Sequence, residues 1–429
     1  MQRLASELIS RAAVQLLLLA AAVWAITYAR VSLGPLQEAL RVDLGLTDNE
    51  IALVQGPALA LPMALASIPL GLIVDRYSRV RLFLFSVALS VVATVLTAIA
   101  PNLSVLVVAR GLLGFGVAAV LVGAYSLVAD LYPPAQRGRA TTIVALGEIG
   151  GAPAAFALGG ALLVMAGPLA SLDFGSRTGG WRWALLWMSG PLAIVALLMA
   201  GLREPPRTDI VVQHPRLRDI AEELWRYRTV VAPLLFARVM VWIADGAVFV
   251  WAAPTFARRF ALAQDRIGAI IGGALLISGI LGPIIGGPLA DLCQRTGGPQ
   301  RTATILAVVA LLSVPAGLFA VVPNPTLAGL MLTAFLTLGF AFGTAAMTLG
   351  TVVIPGEVRG LFLAASVTVA ALFSTGVAPV AISLLSRTLG GTTMIGHALA
   401  WVCALTSLLG ALIFALGRRG FAAPLVQTR

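Results

Sequence analysis

The 429-residue chain has no lysine; all 29 of its basic residues are arginine. A P-loop phosphate cradle and a Schiff-base enzyme both require lysine, so those chemistries are excluded. ATP-driven pumping by this chain alone goes with them. Charge of either sign is scarce: charged residues make up 11% of the chain and hydrophobic ones 59%. Soluble domains carry about 25% charged residues, so most of this surface must face lipid. The two cysteines, Cys293 beside an expected loop and Cys403 in a late apolar segment, offer no disulfide framework. His214 and His397 lie far apart and suggest no metal cluster. No cofactor motif and no nucleophile–base–acid set is visible, which argues against an enzyme.

What the chain does contain is long apolar runs. A membrane-spanning helix needs about 20 mostly apolar residues. Twelve such spans are expected, at 13–38, 48–74, 80–99, 103–130, 139–166, 182–201, 230–256, 266–290, 302–322, 326–353, 359–386 and 393–417. The first run follows Arg3 and Arg11 and is too long for a signal-peptide core, so it reads as an uncleaved helix. With the N-terminus inside, 19 arginines fall on cytoplasmic segments and seven on the opposite face. That bias places both termini in the cytoplasm, with a bacterial inner membrane as the expected location. It also accounts for most of the net charge of +11 without nucleic acid as a partner. The polar stretch LREPPRTDIVVQHPRLRDIAEELWRYR divides the chain into an N-terminal bundle (1–201), a linker with a candidate amphipathic helix (202–229) and a C-terminal bundle (230–429).

The two halves repeat. Gly71, Asp75 and Arg79 of GLIVDRYSR return as Gly287, Asp291 and Arg295 of GPLADLCQR, each 216 residues later. QRGRA (136–140) is answered by VRGLF (358–362) at an offset of 222. A parallel six-helix repeat implies a pseudo-twofold axis along the membrane normal and a cavity between halves.

GLIVDRYSRVRL resembles the loop motif of the major facilitator superfamily, with Ser78 where the family has its second glycine. A narrower similarity, to spinster-like and organic-anion symporter branches, rests on YARVSLGPLQEALRVDLGLTDNEI, ARGLLGFG, ADLYPPAQRGRA and GWRWALLWMSGPLAIVALLMAGLREPPR. The resemblance implies an all-α membrane protein of two pseudo-symmetric six-helix bundles and transport by alternating access. It also implies that Asp75, Arg76, Arg79, Asp130, Arg137 and Arg139, with Asp291, Arg295, Glu357 and Arg359 in the second half, form a gating ion-pair network. Two departures stand out: Ala29 and Val117 occupy positions where such relatives carry acids implicated in proton coupling. GWRW (180–183) fits an aromatic belt at the outer interface. The glycines of helix five, among them Gly147, Gly151, Gly159 and Gly160, suit a close-packed, bendable helix.

Five charges fall within apolar runs. Arg30 and Arg110 are open to two readings: snorkelling to the interface, or lining the cavity as a site for carboxylate or phosphate. Arg238, on the face that holds Asp245, is either a further anion partner or an interfacial anchor. Glu148 and Asp245 are too deep to snorkel and are candidates for coupling by protonation. Adding the repeat offset to Ala29 gives Asp245, so the acid missing from the first helix returns in the seventh. A gate pairing Arg30 with Asp245 is the expectation. The function expected is secondary transport of an anionic or amphiphilic, lysolipid-like solute by a monomer in contact with membrane lipid and protons, without cofactor. A small carboxylate or sugar-acid symporter and a non-transporting receptor are the alternatives.

Overall fold

The computed structural model describes residues 2–76, 78–168, 179–204, 225, 228–354, 362, 366, 368–369 and 371–421. Every regular element among them is helical. The candidate amphipathic helix of the linker, like Glu357 and Arg359, lies outside the described residues.

Helix α1 (Gln2–Val31) stops sooner than its apolar pattern suggests. Gly34 and Pro35 follow, and the chain turns through Ser32–Leu36 into a short α2 (Gln37–Asp43). Proline cannot continue a helical ladder, so Arg30 sits on the last turn of α1 rather than inside it. Gly45, at φ 62°, makes the left-handed turn that glycine tolerates best. Thr47 then starts α3 (Asp48–Gln55) with a capping box, its side chain accepting from Glu50 N while its own N–H donates to the Glu50 carboxylate at 2.8 Å. Gly56 breaks the expected second span, and α4 (Pro57–Arg76) completes it.

Ser78 caps α5 (Arg79–Ala98) and Asn102 caps α6 (Leu103–Leu131). Helix α7 (Pro134–Ala166) begins five residues before its apolar run, at a proline suited to a first turn. Helix α8 is Gly180–Leu198. Beyond the linker come α9 (Arg228–Phe260), α10 (Gln264–Ala316), α11 (Pro325–Val353), α12 (Leu372–Leu389, opening with a π-helical turn) and α13 (Ile395–Gly417).

Eleven described helices are long and apolar enough to cross a membrane. Helix α10 contains two expected spans, which join at Gly298 (φ 65°, ψ −162°). The loop expected near Cys293 is therefore helical, and Cys293 is buried. Within α10 the one non-helical residue is Gly298, followed at once by Pro299.

The chain forms two compact units, Met1–Val211 with Leu262–Gly273, and Val212–Ala261 with Ala274–Arg429. In the first, glycines bring backbones together. A Cβ at Gly147 would overlap the Ala20 carbonyl, and one at Gly151 would meet Trp24 O at 2.5 Å and Tyr28 N at 2.9 Å. One at Gly159 would strike Pro35. With Ala155 between them, these residues recur every fourth position and form a smooth ridge on α7 that seats α1. Gly114 of α6 lies equally close to the Leu59 carbonyl of α4. In the second unit Gly286 meets the Ala341 carbonyl of α11, and Phe342 packs edge-on against Phe414 at 5.6 Å.

The aromatic-belt expectation for GWRW fails at Trp181. Trp181 is buried, not part of a lipid-facing belt. Its indole donates to Asp43 Oδ2 at 3.0 Å, and Arg182 stacks over the ring at 4.4 Å. Arg182 also pairs with Asp43 at 3.3 Å and donates to the carbonyls of Ala98 (3.0 Å) and Ala100 (2.8 Å). A buried guanidinium thus satisfies the end of α5 and ties α2 to α8.

Candidate functional site

In the first unit the structure brings Arg30 and Arg110 together. Arg110 is only 1% exposed and donates from Nη2 to the Arg30 carbonyl at 2.8 Å. A helix's last carbonyls lack intrahelical partners and carry partial negative charge, so this contact caps α1. It places the Arg110 guanidinium at the base of the Arg30 side chain, with its Nε buried and unpartnered. Arg30 itself is half-buried. Glu148, fourteen residues into α7, is exposed and lies within electrostatic reach of both Arg30 and Tyr125. Trp24 and Tyr28 stack at 5.1 Å on the turns of α1 below, and the Tyr28 hydroxyl is buried without a partner.

The gating candidates divide. Arg79 forms an ion pair with Asp130 at the end of α6 and donates to Ser126 Oγ at 3.1 Å. Glu204, which the sequence reading did not single out, joins them. Its carboxylate accepts from Ser78 Oγ (2.6 Å), Val80 N (3.0 Å), Arg79 N (3.1 Å) and Arg79 Nε (3.4 Å). It thereby supplies the first amides of α5 with an acceptor of the charge that a helix N-terminus favours. Burial pushes the Glu204 carboxyl up, but the hydrogen bonds from Ser78, Val80 and Arg79 outweigh it and hold it below the usual carboxylate range. The available signal was an acid just beyond an apolar span, in LREPP, at a distance from Arg79 that only folding removes.

Arg137 donates from Nε to the Tyr132 carbonyl at 3.1 Å, bracing the turn between α6 and α7, and Arg139 is exposed. Asp75 and Arg76 end α4, and their side chains lie outside the described residues. Asp291 and Arg295 are exposed on α10 and make no ion pair with a described residue.

The second unit contains Arg238 and Asp245, both on α9. Arg238 is 6% exposed; its Nη1 contacts Met347 Sδ at 3.2 Å and its guanidinium lies 5.0 Å from the Trp242 ring. Its Nε is buried without a partner. Asp245 is half-buried, with Oδ1 buried and unpartnered against Gly339 of α11, where a Cβ would stand 2.7 Å away. The next residue, Gly246, receives Ser374 of the π-helical turn at the start of α12. No His, Cys, Asp or Glu group suited to a metal ion occurs among the described residues.

The sequence profile of the Major Facilitator Superfamily matches residues 18–375. A triacylglyceride transporter of Mycolicibacterium hassiacum is 30% identical over 183 residues, 42% of this chain and 31% of that protein. The Escherichia coli 3-(3-hydroxy-phenyl)propionate transporter is 34% identical over 146 residues, 34% of this chain and 32% of that one. The matched region is thus about a third of these relatives' own length. A crystal structure of a bacterial homologue of the human lysosomal transporter Spinster, inward-facing and unoccupied, superposes with a TM-score of 0.78 at 20% identity. That superposition covers 96% of this chain and 98% of the homologue.

Proposed function

Because this chain belongs to the major facilitator superfamily, as an integral multi-pass membrane protein, we propose that it is a secondary transporter of an organic anion with apolar bulk. The reading is supported above all by Arg238. A cation in a membrane-spanning helix costs several kcal/mol unless something offsets it. Its described neighbours are a thioether and an indole, which hold a guanidinium without neutralising it. A carboxylate or phosphate supplies the missing charge and takes the free donors in a fork.

Arg30 is the matching cation of the first unit, and Arg110 fixes it from behind through the α1 carbonyl. Glu148 and Asp245 are assigned to the proton, replacing the acids absent at Ala29 and Val117. Arg79, Asp130 and Glu204 join α5, α6 and the segment after α8, and are assigned to a latch on the cytoplasmic side of an inner membrane, with both termini on that side. The named relatives span a lipid-like solute and a small aromatic acid, which share the anion-and-apolar chemistry or its apolar part.

The test is flux into proteoliposomes at two external pH values, with a lysophosphatidyl lipid in one arm and an arylalkanoate in the other. Saturable uptake of either, abolished by Arg238→Gln and made pH-independent by Asp245→Asn, is expected. Binding without movement in both arms would refute transport and favour a receptor.

A further inference from the structure

The contacts of α9 with α11 pair off in register. Arg238 meets Met347, the Trp242 indole lies beside Gly343, and Asp245 meets Gly339. Arg238 and Asp245 are seven residues apart, which is nearly two full turns, so both face the same seam with their Cα atoms about 10 Å apart along it. Between them the seam is partly open: Trp242, Gly343, Thr344 and Met347 are all half-buried. At one end stands a cation with unspent donors and at the other a carboxyl with an unpartnered oxygen. The two form no ion pair with each other. The threonines on the adjoining face are already committed, Thr344 donating to the Phe340 carbonyl at 2.9 Å and Thr348 to that of Thr344 at 3.1 Å. The stretch between the two charges is thus lined mainly by Trp242, Gly343 and Met347.

We propose that this seam is a single binding site for an elongated dipolar ion, its acid on Arg238, its amine on Asp245 and an apolar spacer over Trp242 and Gly343. The assignment deepens the transport reading by giving the transported anion a second, positive group. The two glycines are part of the site: a side chain at Gly339 would push the Asp245 carboxyl aside, and one at Gly343 would crowd the indole. Charge separation sets the selectivity. A compact α-amino acid reaches one end or the other, never both. An ω-amino acid with a spacer of about two helical turns, or a tripeptide-length zwitterion, reaches both.

Isothermal titration of the full chain in lipid nanodiscs tests this with 8-aminooctanoate, octanoate, octylamine and glycine as probes. The expected result is that 8-aminooctanoate binds at least roughly tenfold tighter than either single-charge probe, the factor associated with one charge-assisted contact, with glycine weakest. Arg238→Gln should lower octanoate affinity and spare octylamine, and Asp245→Asn the reverse. Equal binding of octanoate and 8-aminooctanoate, or no binding of the latter, overturns the site. The probe series on the unmodified protein decides this even if a variant fails to fold. Dipolar binding without liposome flux would remove the transport reading and leave the site standing. Flux of simple anions with no dipolar preference would do the opposite.

Discussion

Replacing Glu204 by alanine removes four hydrogen bonds at once from the start of α5. Two of them satisfy the backbone amides of Arg79 and Val80, which have no partner inside the helix. Loss of a helix cap costs about 1 kcal/mol, with a range of roughly 0.5–2. The Arg79 contact adds little, because at 3.4 Å and partly exposed it resembles a surface pair. Arg79 retains Asp130 and Ser126, so the unit should stay folded. The effect is local opening: a change of 1–2 kcal/mol corresponds to a factor of about 5–30. Hydrogen exchange of a peptide covering Ser78–Leu82 should therefore accelerate by that factor, with the middle of α5 unchanged. Acidity gives an independent check. The Glu204 carboxyl titrates lower when folded than the roughly 4.3 of a free glutamate. Its contribution is thus complete above that value and is lost as the pH falls through the lower, folded one. Wild-type exchange at this peptide should rise toward that of the alanine variant only in that acid window. Equal exchange of the two proteins at neutral pH would refute the capping argument.

Gly147→Ala should destabilise the first unit by about 1–3 kcal/mol, since the added methyl overlaps the Ala20 carbonyl and the backbones must part. Gly138→Ala, in the same helix with nothing within 4 Å, should be neutral or stabilising by up to about 1 kcal/mol; thermal unfolding in detergent compares the two. Asp43→Ala takes one carboxylate contact from the buried Arg182 and the acceptor from the Trp181 N–H, a loss of about 1–3 kcal/mol that a lower unfolding temperature would register. Cys293 and Cys403 are both buried, so maleimide labelling of the folded protein should stay near zero until it is denatured.

Much of the fold was legible because lipid imposes a simple rule on a chain: satisfy the backbone internally and face the bilayer with hydrocarbon. The apolar runs followed that rule, and the spans emerged from it. Their ends did not. Hydropathy says nothing of Pro35 ending α1, of Gly56 splitting the second span, or of the helical continuity through Cys293 up to Gly298. The charged residues were equally visible as oddities, yet their uses were not. Arg110 serves a backbone carbonyl and Arg182 two, contacts that no residue pattern encodes because the acceptor is common to all twenty amino acids. Glu204 was missed because its partners are 124 to 126 positions away. Trp181 read as an interfacial anchor because an aromatic residue at a span's end looks the same whether it meets lipid headgroups or Asp43.

The glycine ridge of α7 has a consequence for how the molecule can move. At Gly147 and Gly151 α7 approaches α1 main chain to main chain, so the two helices are expected to shift together rather than past each other. On that footing the pair forms one strut, with Arg30 on one member and Glu148 on the other.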